Sequence, residues 1–173
     1  MLKKSININS IQVENDEQEN IGKLFKENLI EVNSLFKHEF GITFDVDEFL
    51  KQNIMNLSQF ALPAGRLLLA EYYGSVAGCA GLRKIGEDIG EVKRMYVRPE
   101  YRRKGIGNSL IQAIINEAQQ IGYSRLRLDS APFAKAAQAL YYSVGFHNIQ
   151  SYHESEIPEE YHANWVFMEL IIK

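Results

Sequence analysis

Hydrophobic residues follow two different spacings along this chain, and the spacing changes several times. Alternation with polar residues, typical of half-buried strands, gives way to a repeat of three to four residues, typical of amphipathic helices. In chain order the pattern predicts a strand, two helices, three strands, a helix, a strand, a helix and two final strands. This order favours a mixed α+β fold in which helices accompany one sheet.

Glycine and proline mark most boundaries of these predicted elements. A turn at Gly74 and Ser75 joins two strands, and Pro99 ends the next one because proline cannot donate to a ladder. Gly122 follows the apolar stripe of the third helix, where a C-cap glycine is expected. The predicted strands cover 5–13, 66–73, 75–84, 89–97, 125–129, 146–152 and 165–172, and the predicted helices run from after residue 16 to residue 41 and over 46–56, 106–121 and 135–144.

Length and composition restrict the architecture. A domain typically takes about 100–200 residues, so 173 residues with 46% hydrophobic positions predict a single globular domain spanning residues 1–173. No apolar run approaches the roughly 18 residues of a membrane-spanning helix, and the first residues lack the continuous apolar core of a signal peptide. We therefore expect a cytoplasmic protein that does not associate with a membrane.

Metal chemistry is not expected from this sequence. The single cysteine, Cys79, cannot form an internal disulfide or a cysteine-based zinc site, and we expect it to be a small buried hydrophobic residue. The four histidines show none of the short ligand spacings of metalloenzymes. The prediction is a protein without a metal cofactor.

The net charge of −3 conceals a strongly basic stretch. Residues 93–104 carry six basic residues against the one acid Glu100, a local charge of +5, so the rest of the chain carries −8. A solvated basic loop and an anion-binding site both fit such a stretch. A nucleic-acid surface is disfavoured, because the acidic remainder would repel a phosphate backbone. The six basic residues are Lys93, Arg94, Arg98, Arg102, Arg103 and Lys104.

The basic stretch leads through a glycine-rich turn directly into the third predicted helix. The turn is Arg102-Arg103-Lys104-Gly105-Ile106-Gly107-Asn108-Ser109. A helix N-terminus offers unpaired N–H groups and a partial positive charge, and glycine lets the backbone approach a phosphate closely. The neighbouring cations favour a diphosphate over a single carboxylate. A P-loop string is absent, and so are the third glycine and the repeated βαβ unit of a dinucleotide fold.

Two motifs resemble those of the GNAT superfamily of N-acetyltransferases. The string Met95-Tyr96-Val97-Arg98-Pro99-Glu100-Tyr101-Arg102-Arg103-Lys104-Gly105-Ile106-Gly107 resembles motif A of that family, whose turn has the form (R/Q)-x-x-G-x-(G/A). The string Leu140-Tyr141-Tyr142-Ser143-Val144-Gly145-Phe146 resembles its L-Y-x-x-x-G-F motif. The predicted element order also agrees with the GNAT fold, a central, mostly antiparallel mixed sheet flanked by helices. Only residues 91–146 carry diagnostic motifs, although the agreement in element order covers nearly the whole chain.

The resemblance implies an acetyl-CoA-dependent N-acetyltransferase that acts on a primary amine of a small molecule or a protein. Met95 and Val97 would pair with the pantetheine arm through their backbones, as with an added strand. The diphosphate would bind the backbone N–H groups of residues 103–108. The residues implied in binding acetyl-CoA are Met95, Tyr96, Val97, Arg102, Arg103, Lys104, Gly105, Ile106, Gly107, Asn108, Ser109 and Tyr141.

The same resemblance implies two catalytic residues. An amine of pKa near 10.4 is only about one part in a thousand neutral at pH 7, so a base is useful. Glu91 would be that base, because counting by twos places it on one strand face with Met95 and Val97. Tyr141 would protonate the leaving thiolate, and a backbone N–H near residues 95–97 would meet the oxyanion. Ala134 is a departure, since many GNAT proteins have an asparagine seven residues before this tyrosine.

Several alternatives stay open at this stage. A non-catalytic acyl-CoA sensor of the same fold would keep the cofactor cleft without turnover. The acidic loop 154–160 fits either solvated charge or the rim of an entrance for a cationic amine. The sequence names neither the acceptor nor the length of the acyl group, and it leaves open whether the chain forms a homodimer.

Overall fold

In the computed structural model, which describes residues 5–13 and 17–172, seven strands form one sheet flanked by four α-helices. The strands are β1 (Ile6–Ser10), β2 (Arg66–Tyr72), β3 (Ser75–Lys84), β4 (Ile89–Val97), β5 (Arg125–Ser130), β6 (His147–Ile149) and β7 (Val166–Ile171). The helices are α1 (Gln18–Phe40), α2 (Val46–Met55), α3 (Ile106–Ile121) and α4 (Lys135–Ser143). The strand order is β1-β2-β3-β4-β5-β7-β6, and every neighbouring pair is antiparallel except β4 and β5.

The predicted α+β fold is confirmed, and the elements follow the predicted order. Strand β4 and helix α3 have the predicted ends, and the cap after α3 is Gly122 with a φ of 103°. That left-handed conformation favours glycine. The terminal strands are shorter than predicted: β1 ends at Ser10, and β6 covers three residues. Tyr152, predicted to end the latter strand, instead turns its side chain into the interior.

The two faces of the sheet carry separate hydrophobic cores. Helices α3 and α4 cover one face, with Leu110 and Tyr141 among the buried residues. Helix α1 and the 3₁₀ turn Leu57–Phe60 cover the other face, with Phe25 in the core. Fully burying a leucine or phenylalanine contributes about 1.5–3 kcal/mol. Cys79 lies in this second core, buried as expected, and burial raises the pKa of its thiol to about 12.

Strand β4 is irregular on both of its edges. Its register with β3 shifts so that Arg94 and Met95 together oppose Ala80, and Arg94 has a φ of 55°. This is a β-bulge, in which one strand carries an extra residue. On the other edge β4 pairs with β5 only over Ile89–Glu91. We call the space between the unpaired ends the β4–β5 gap; its sides are residues 92–97 and 128–130.

Candidate active site

The backbone of β4 faces the β4–β5 gap at Val97. The Arg98 N–H donates to the Ala77 carbonyl of β3 at 2.8 Å. Because backbone groups alternate along a strand, those of Val97 are directed away from β3 and toward the gap. The Val97 carbonyl already accepts from Nε of Arg102 at 2.8 Å, which leaves its N–H directed at the gap. Met95 belongs to the bulge, where this alternation is interrupted.

The turn before α3 ends in an open helix N-terminus, as the sequence predicts. Gly105 is the N-cap residue with a φ of 85°, and no side chain caps the helix. The Ser109 N–H bonds to the Gly105 carbonyl at 3.0 Å, so the N–H groups of residues 106–108 precede the first helical bond. These donors and the helix dipole together form an anion-binding terminus. Arg103 and Lys104 lie exposed beside it.

The two glycines of this turn serve different purposes in the structure. Gly105 needs its positive φ for α3 to begin at this point. At Gly107 a Cβ atom would lie 3.2 Å from Cδ2 of Leu140 in α4. The absence of a side chain there allows α3 and α4 to pack closely, and this close packing holds α4 and its Tyr141 against the start of α3.

Two arginines of the basic stretch hold the turn to the rest of the fold. Arg98 donates from Nε and Nη2 to Glu27 of α1, both at 2.9 Å. Arg102 donates to the Val97 carbonyl and, through Nη2, to Glu31 at 2.7 Å. Arg102, which the resemblance implied in binding acetyl-CoA, thus supports the turn, and its charge is matched by a carboxylate.

The other four cations of the stretch divide into two pairs. Lys93 and Arg94 form ion pairs in the interior, as described below. Arg103 forms no ion pair with any described residue. The Lys104 ammonium lies 5.8 Å from the centre of the Tyr72 ring. Arg103 and Lys104 are therefore the exposed cations beside the open terminus that form no ion pair with a described residue.

Tyr141 lies in the core that α3 and α4 cover. It is 6% exposed, and its ring centre is 5.8 Å from that of Phe146. Among the described residues none hydrogen-bonds its hydroxyl. Burial, with a smaller effect of the charge on Asp129, holds the pKa of Tyr141 well above its ordinary value. The phenol is therefore protonated at neutral pH. Ala134 is the N-cap of the same helix and offers no side-chain cap.

Glu91 lies on a different face from the one that counting by twos predicts. The β4 bulge reverses the alternation, so Glu91 shares its face with Tyr96 of the α1-side core. Met95 and Val97 lie on the opposite face, against the core covered by α3. The expectation that Glu91, Met95 and Val97 share one face is wrong, because a bulge adds one residue to the count.

The Glu91 carboxylate is also enclosed. Its Oε1 accepts from the Tyr152 hydroxyl at 2.7 Å, its Oε2 pairs with Nε of Arg83 at 2.5 Å, and the residue is 0% exposed. Burial raises the pKa of Glu91, while Lys93, the Tyr152 hydrogen bond and Arg83 oppose that rise. A proton from a ligand reaches this carboxylate only through a neighbouring group.

Six charged side chains converge where β4 and β5 cease to pair. Lys93 Nζ lies 3.2 Å from Oδ2 of Asp129, and this ion pair links β4 and β5 across the gap. Lys93 Nζ also lies 3.3 Å from Oε2 of Glu156. Nη2 of Arg94 also lies 3.3 Å from Glu156 Oε2. Nη1 of Arg83 is 3.6 Å from Glu156 Oε1. We call this group the central ion cluster; its members are Arg83, Glu91, Lys93, Arg94, Asp129 and Glu156.

Glu156 enters the central ion cluster from the acidic loop. Glu154, Glu159 and Glu160 of that loop are exposed. Glu156 is 37% exposed as well, but its carboxylate contacts the cluster, and although burial alone would raise its pKa, Lys93, Arg94 and Arg83 hold the pKa of Glu156 below its ordinary value. One acid of the loop is therefore an ion-pair partner of the cluster, and the remaining three are solvated.

Five residues around this cluster were not predicted from the sequence as site residues. One weak signal existed, since Asp129 alternates with the buried leucines of β5 and so had to point away from the α3-side core. Glu156 was noted only as part of the acidic loop 154–160, and Tyr152 gave no signal, because their positions depend on how the chain after β6 folds back. The five missed residues are Arg83, Lys93, Arg94, Asp129 and Glu156, and Tyr152 supports them.

Two kinds of feature are absent from residues 5–13 and 17–172. In this part of the chain no group of three or more His, Cys, Asp or Glu side chains has an arrangement that would hold a metal ion. No helix there has both the length and the apolar character needed to cross a bilayer.

Comparison with known proteins gives matches over most of the chain. The model of the acetyltransferase (GNAT) family matches residues 29–146. An uncharacterized N-acetyltransferase of Schizosaccharomyces pombe is 31% identical over 137 residues, which are 78% of this chain and 81% of that protein. The IAA acetyltransferase of Azospirillum brasilense is 37% identical over 95 residues, which are 54% of this chain and 62% of that protein.

Solved structures share the fold at lower sequence identity. An acetyltransferase of the GNAT family from Staphylococcus aureus superposes with a TM-score of 0.69 at 23% identity, covering 97% of this chain and 99% of that one. The PaiA N-acetyltransferase of Thermoplasma acidophilum, solved in complex with coenzyme A, gives 0.68 at 18% identity, with coverage of 97% and 99%.

Proposed function

The chain belongs to the acetyltransferase (GNAT) family, and we propose that it transfers the acetyl group of acetyl-CoA to a primary amine. The observation that supports this most directly is the anion-binding N-terminus of α3, which follows β4 through the basic turn. The buried, protonated Tyr141 lies in the core that α3 and α4 cover and supplies an acid group. Relatives that share the fold include one solved with coenzyme A.

On this proposal the donor binds along β4. Its diphosphate accepts from the N–H groups of residues 106–108, with Arg103 and Lys104 adding charge from the solvent side. Its pantetheine arm occupies the β4–β5 gap, where the Val97 N–H has no partner from β5. An extended arm placed there takes the position of a missing strand, which explains why β4 and β5 separate after Glu91.

Once the amine is neutral, the reaction requires a hydrogen bond to the oxyanion and two proton transfers. The neutral amine attacks the thioester carbonyl, and the oxyanion that forms accepts from a backbone N–H of residues 95–97. When the C–S bond breaks, Tyr141 gives its proton to the sulfur, so that the thiol rather than the thiolate leaves. The proton lost from the nitrogen in this step returns to the phenolate.

Glu91 takes the proton that the ammonium must lose before attack. Because Glu91 is enclosed, we assign the contact with the amine to the Tyr152 hydroxyl, which accepts the proton while donating its own to Glu91 over 2.7 Å. Burial raises the pKa of Glu91 and so makes it a stronger base than an exposed glutamate. Arg83 keeps the carboxylate in position.

Calorimetric titration with CoA tests the donor site. In Gly105→Glu a carboxylate lies at the proposed diphosphate position, and we expect the dissociation constant to rise about 100-fold through like-charge repulsion. Gly122→Glu is the matched control, because Gly122 also has a positive φ, with open space around it, but lies at the other end of α3. The control is expected to bind CoA like the wild type.

Turnover is tested separately by measuring free thiol with a panel of primary amines. Release of CoA above the hydrolysis background is the expected result, and a protein that binds CoA without any release would be a sensor instead of an enzyme. If the wild type fails to bind CoA at millimolar concentration, the proposed donor site is wrong.

A further inference from the structure

The charges of the central ion cluster separate into a fixed part and an exchangeable part. Glu91 is fixed, with no exposed surface and short bonds to Arg83 and Tyr152. Asp129 is fixed as well, at 9% side-chain exposure, by Lys93 and by the Ser155 hydroxyl at 3.1 Å. Together they supply two negative charges against three positive ones, so the fixed part carries one unmatched positive charge.

Glu156 supplies the missing negative charge, but its side chain is held loosely. Its side chain is 37% exposed, on the connection between β6 and β7, and its nitrogen contacts of 3.3–3.6 Å are longer than the bonds of Glu91. Three cations nevertheless converge on this one carboxylate. The geometry is that of a carboxylate-binding site occupied by a side chain of the same protein.

Glu156 does not use the full hydrogen-bonding capacity of Arg94. Its Nε is buried and has no hydrogen-bond partner. Its two Nη atoms contact Glu156, and Nη2 also donates to Asn53 of α2 at 2.9 Å. A guanidinium binds a carboxylate best through two parallel N–H bonds, and a free carboxylate can adopt that alignment where a tethered side chain does not.

The site lies beside the place where the proposed reaction occurs. Lys93 and Arg94 immediately precede residues 95–97 of β4, and Asp129 is close enough to Tyr141 for its charge to affect that phenol. A carboxylate bound here would therefore place the remainder of its molecule at the β4–β5 gap. This is where the amine of an acceptor must meet the thioester.

We propose that the acceptor is an amine that also carries a carboxylate, as an amino acid does, and that this carboxylate replaces Glu156 on Lys93, Arg94 and Arg83. The proposal rests on the proposed function, because it describes the acceptor of the same reaction. A single carboxylate matches the one unmatched positive charge, whereas a phosphate monoester with nearly two negative charges would exceed it. In this arrangement Glu156 competes with the substrate.

The first test compares acceptors in pairs, using thiol release at saturating acetyl-CoA. Each common amino acid is assayed beside the amine that remains when its carboxyl group is removed. We expect kcat/KM to favour the amino acid by about tenfold or more, the value of a charge-assisted contact. Arg94→Gln should abolish that preference. Equal rates for the two members of every pair would overturn the proposal.

The second test removes Glu156, the internal competitor of the substrate carboxylate. Glu156→Gln removes the internal carboxylate, so KM for amino acids should fall about threefold to tenfold while the affinity for CoA stays constant. Glu160→Gln, an exposed acid of the same loop, is the matched control and should leave KM unchanged. An unchanged KM in Glu156→Gln would contradict the competition.

A binding measurement keeps the inference testable without turnover. The melting temperatures of Glu156→Gln and Glu160→Gln are compared in sodium acetate, phosphate and chloride at one ionic strength. Selective stabilisation of Glu156→Gln by acetate is expected, since a ligand that binds the folded state raises its stability. Equal effects on both variants, or a preference for phosphate, would overturn the proposal. If the wild type binds no CoA but acetate acts selectively, the function fails and the carboxylate site stands.

Discussion

The α3 turn and the central ion cluster are the two strongly charged regions of this protein, and they are built in opposite ways. The turn consists of consecutive residues, 102–109, with exposed cations and open backbone donors. The cluster takes its six side chains from β3, β4, β5 and the connection before β7. Their charges are paired, and all except that of the 37% exposed Glu156 are largely enclosed. One region can therefore be recognised in the sequence, and the other exists only once the chain has folded.

The difference also determines what each region can bind. Exposed cations attract an anion from solution through a field that salt screens, whereas enclosed charges select a group that replaces one of their own partners. The turn suits a highly charged, solvated ligand such as a diphosphate. The cluster suits a small group of one charge, which must leave water to enter.

Tyr141 belongs to α4, which packs against the start of α3, and the charge of Asp129 acts on its phenol. Its removal is expected to have the largest effect. In Tyr141→Phe the leaving thiolate has no proton donor, so kcat should fall about 1,000-fold, within the range of general acid catalysis. The affinity for CoA should stay within about twofold of the wild type, because the diphosphate and pantetheine contacts are intact. Steady-state kinetics and calorimetry measure the two quantities.

Tyr142→Phe is the matched control for this substitution. Tyr142 is the next residue, is 46% exposed, and its hydroxyl donates to Asn148 at 2.7 Å, away from the core. It should retain normal kcat. An unchanged kcat in Tyr141→Phe would show that the thiolate leaves without a proton from this phenol.

Much of the fold was predictable because it follows from local patterns. Helix α3 has an unbroken apolar stripe and a glycine on each side, and the structure gives it the predicted ends. Strand β6 was overestimated because Tyr152 fits the alternating pattern, yet its hydroxyl is bound to Glu91 in the interior. A tertiary hydrogen bond of this kind leaves no trace in the spacing of hydrophobic residues.

The site was predictable only where its residues are consecutive. The glycine turn and Tyr141 belong to short motifs, and their local environment follows from those motifs. The face of Glu91 was predicted wrongly, because period-two counting assumes a regular strand and cannot detect the bulge at Arg94. Arg83 pairs with Glu91 across two strands, a contact that depends on register.

The pH dependence of the reaction measures how far the cluster takes part in catalysis. A base acts only when ionised, so the rate should fall as the pH drops through the pKa of Glu91, which burial raises above the ordinary glutamate value. The acidic limb of the kcat profile should therefore lie above the range of an exposed glutamate, near 4.3. Glu91→Gln should lower kcat about 100-fold and remove this limb.

Glu169→Gln provides the matched control for that profile. Glu169 is also buried, at 8% exposure, but it pairs with Arg127 on β5 and forms no hydrogen bond with Tyr152. Glu169→Gln should leave the acidic limb of the kcat profile in place. If the acidic limb of the kcat profile persists in Glu91→Gln, another group is the base that accepts the proton of the amine. The central ion cluster would then only bind the acceptor.

The smallest effect is expected at the turn, where charge is exposed. In the double variant Arg103→Gln/Lys104→Gln, the dissociation constant for CoA should rise about tenfold at low salt, because each solvated cation contributes modestly. Stability should change by less than about 0.5 kcal/mol, since neither side chain forms an ion pair with a described residue. Lys51→Gln/Lys84→Gln removes two other exposed cations and should leave CoA binding unchanged.

The salt dependence of that same double variant distinguishes the two regions. Screening shortens the reach of exposed charges to about 8 Å at physiological ionic strength, so the difference between wild type and double variant should shrink as salt is added. The preference for an acceptor carboxylate should survive the same salt, because Lys93 is enclosed at 6% side-chain exposure. If salt abolished both effects equally, the cluster would be as accessible to ions as the turn.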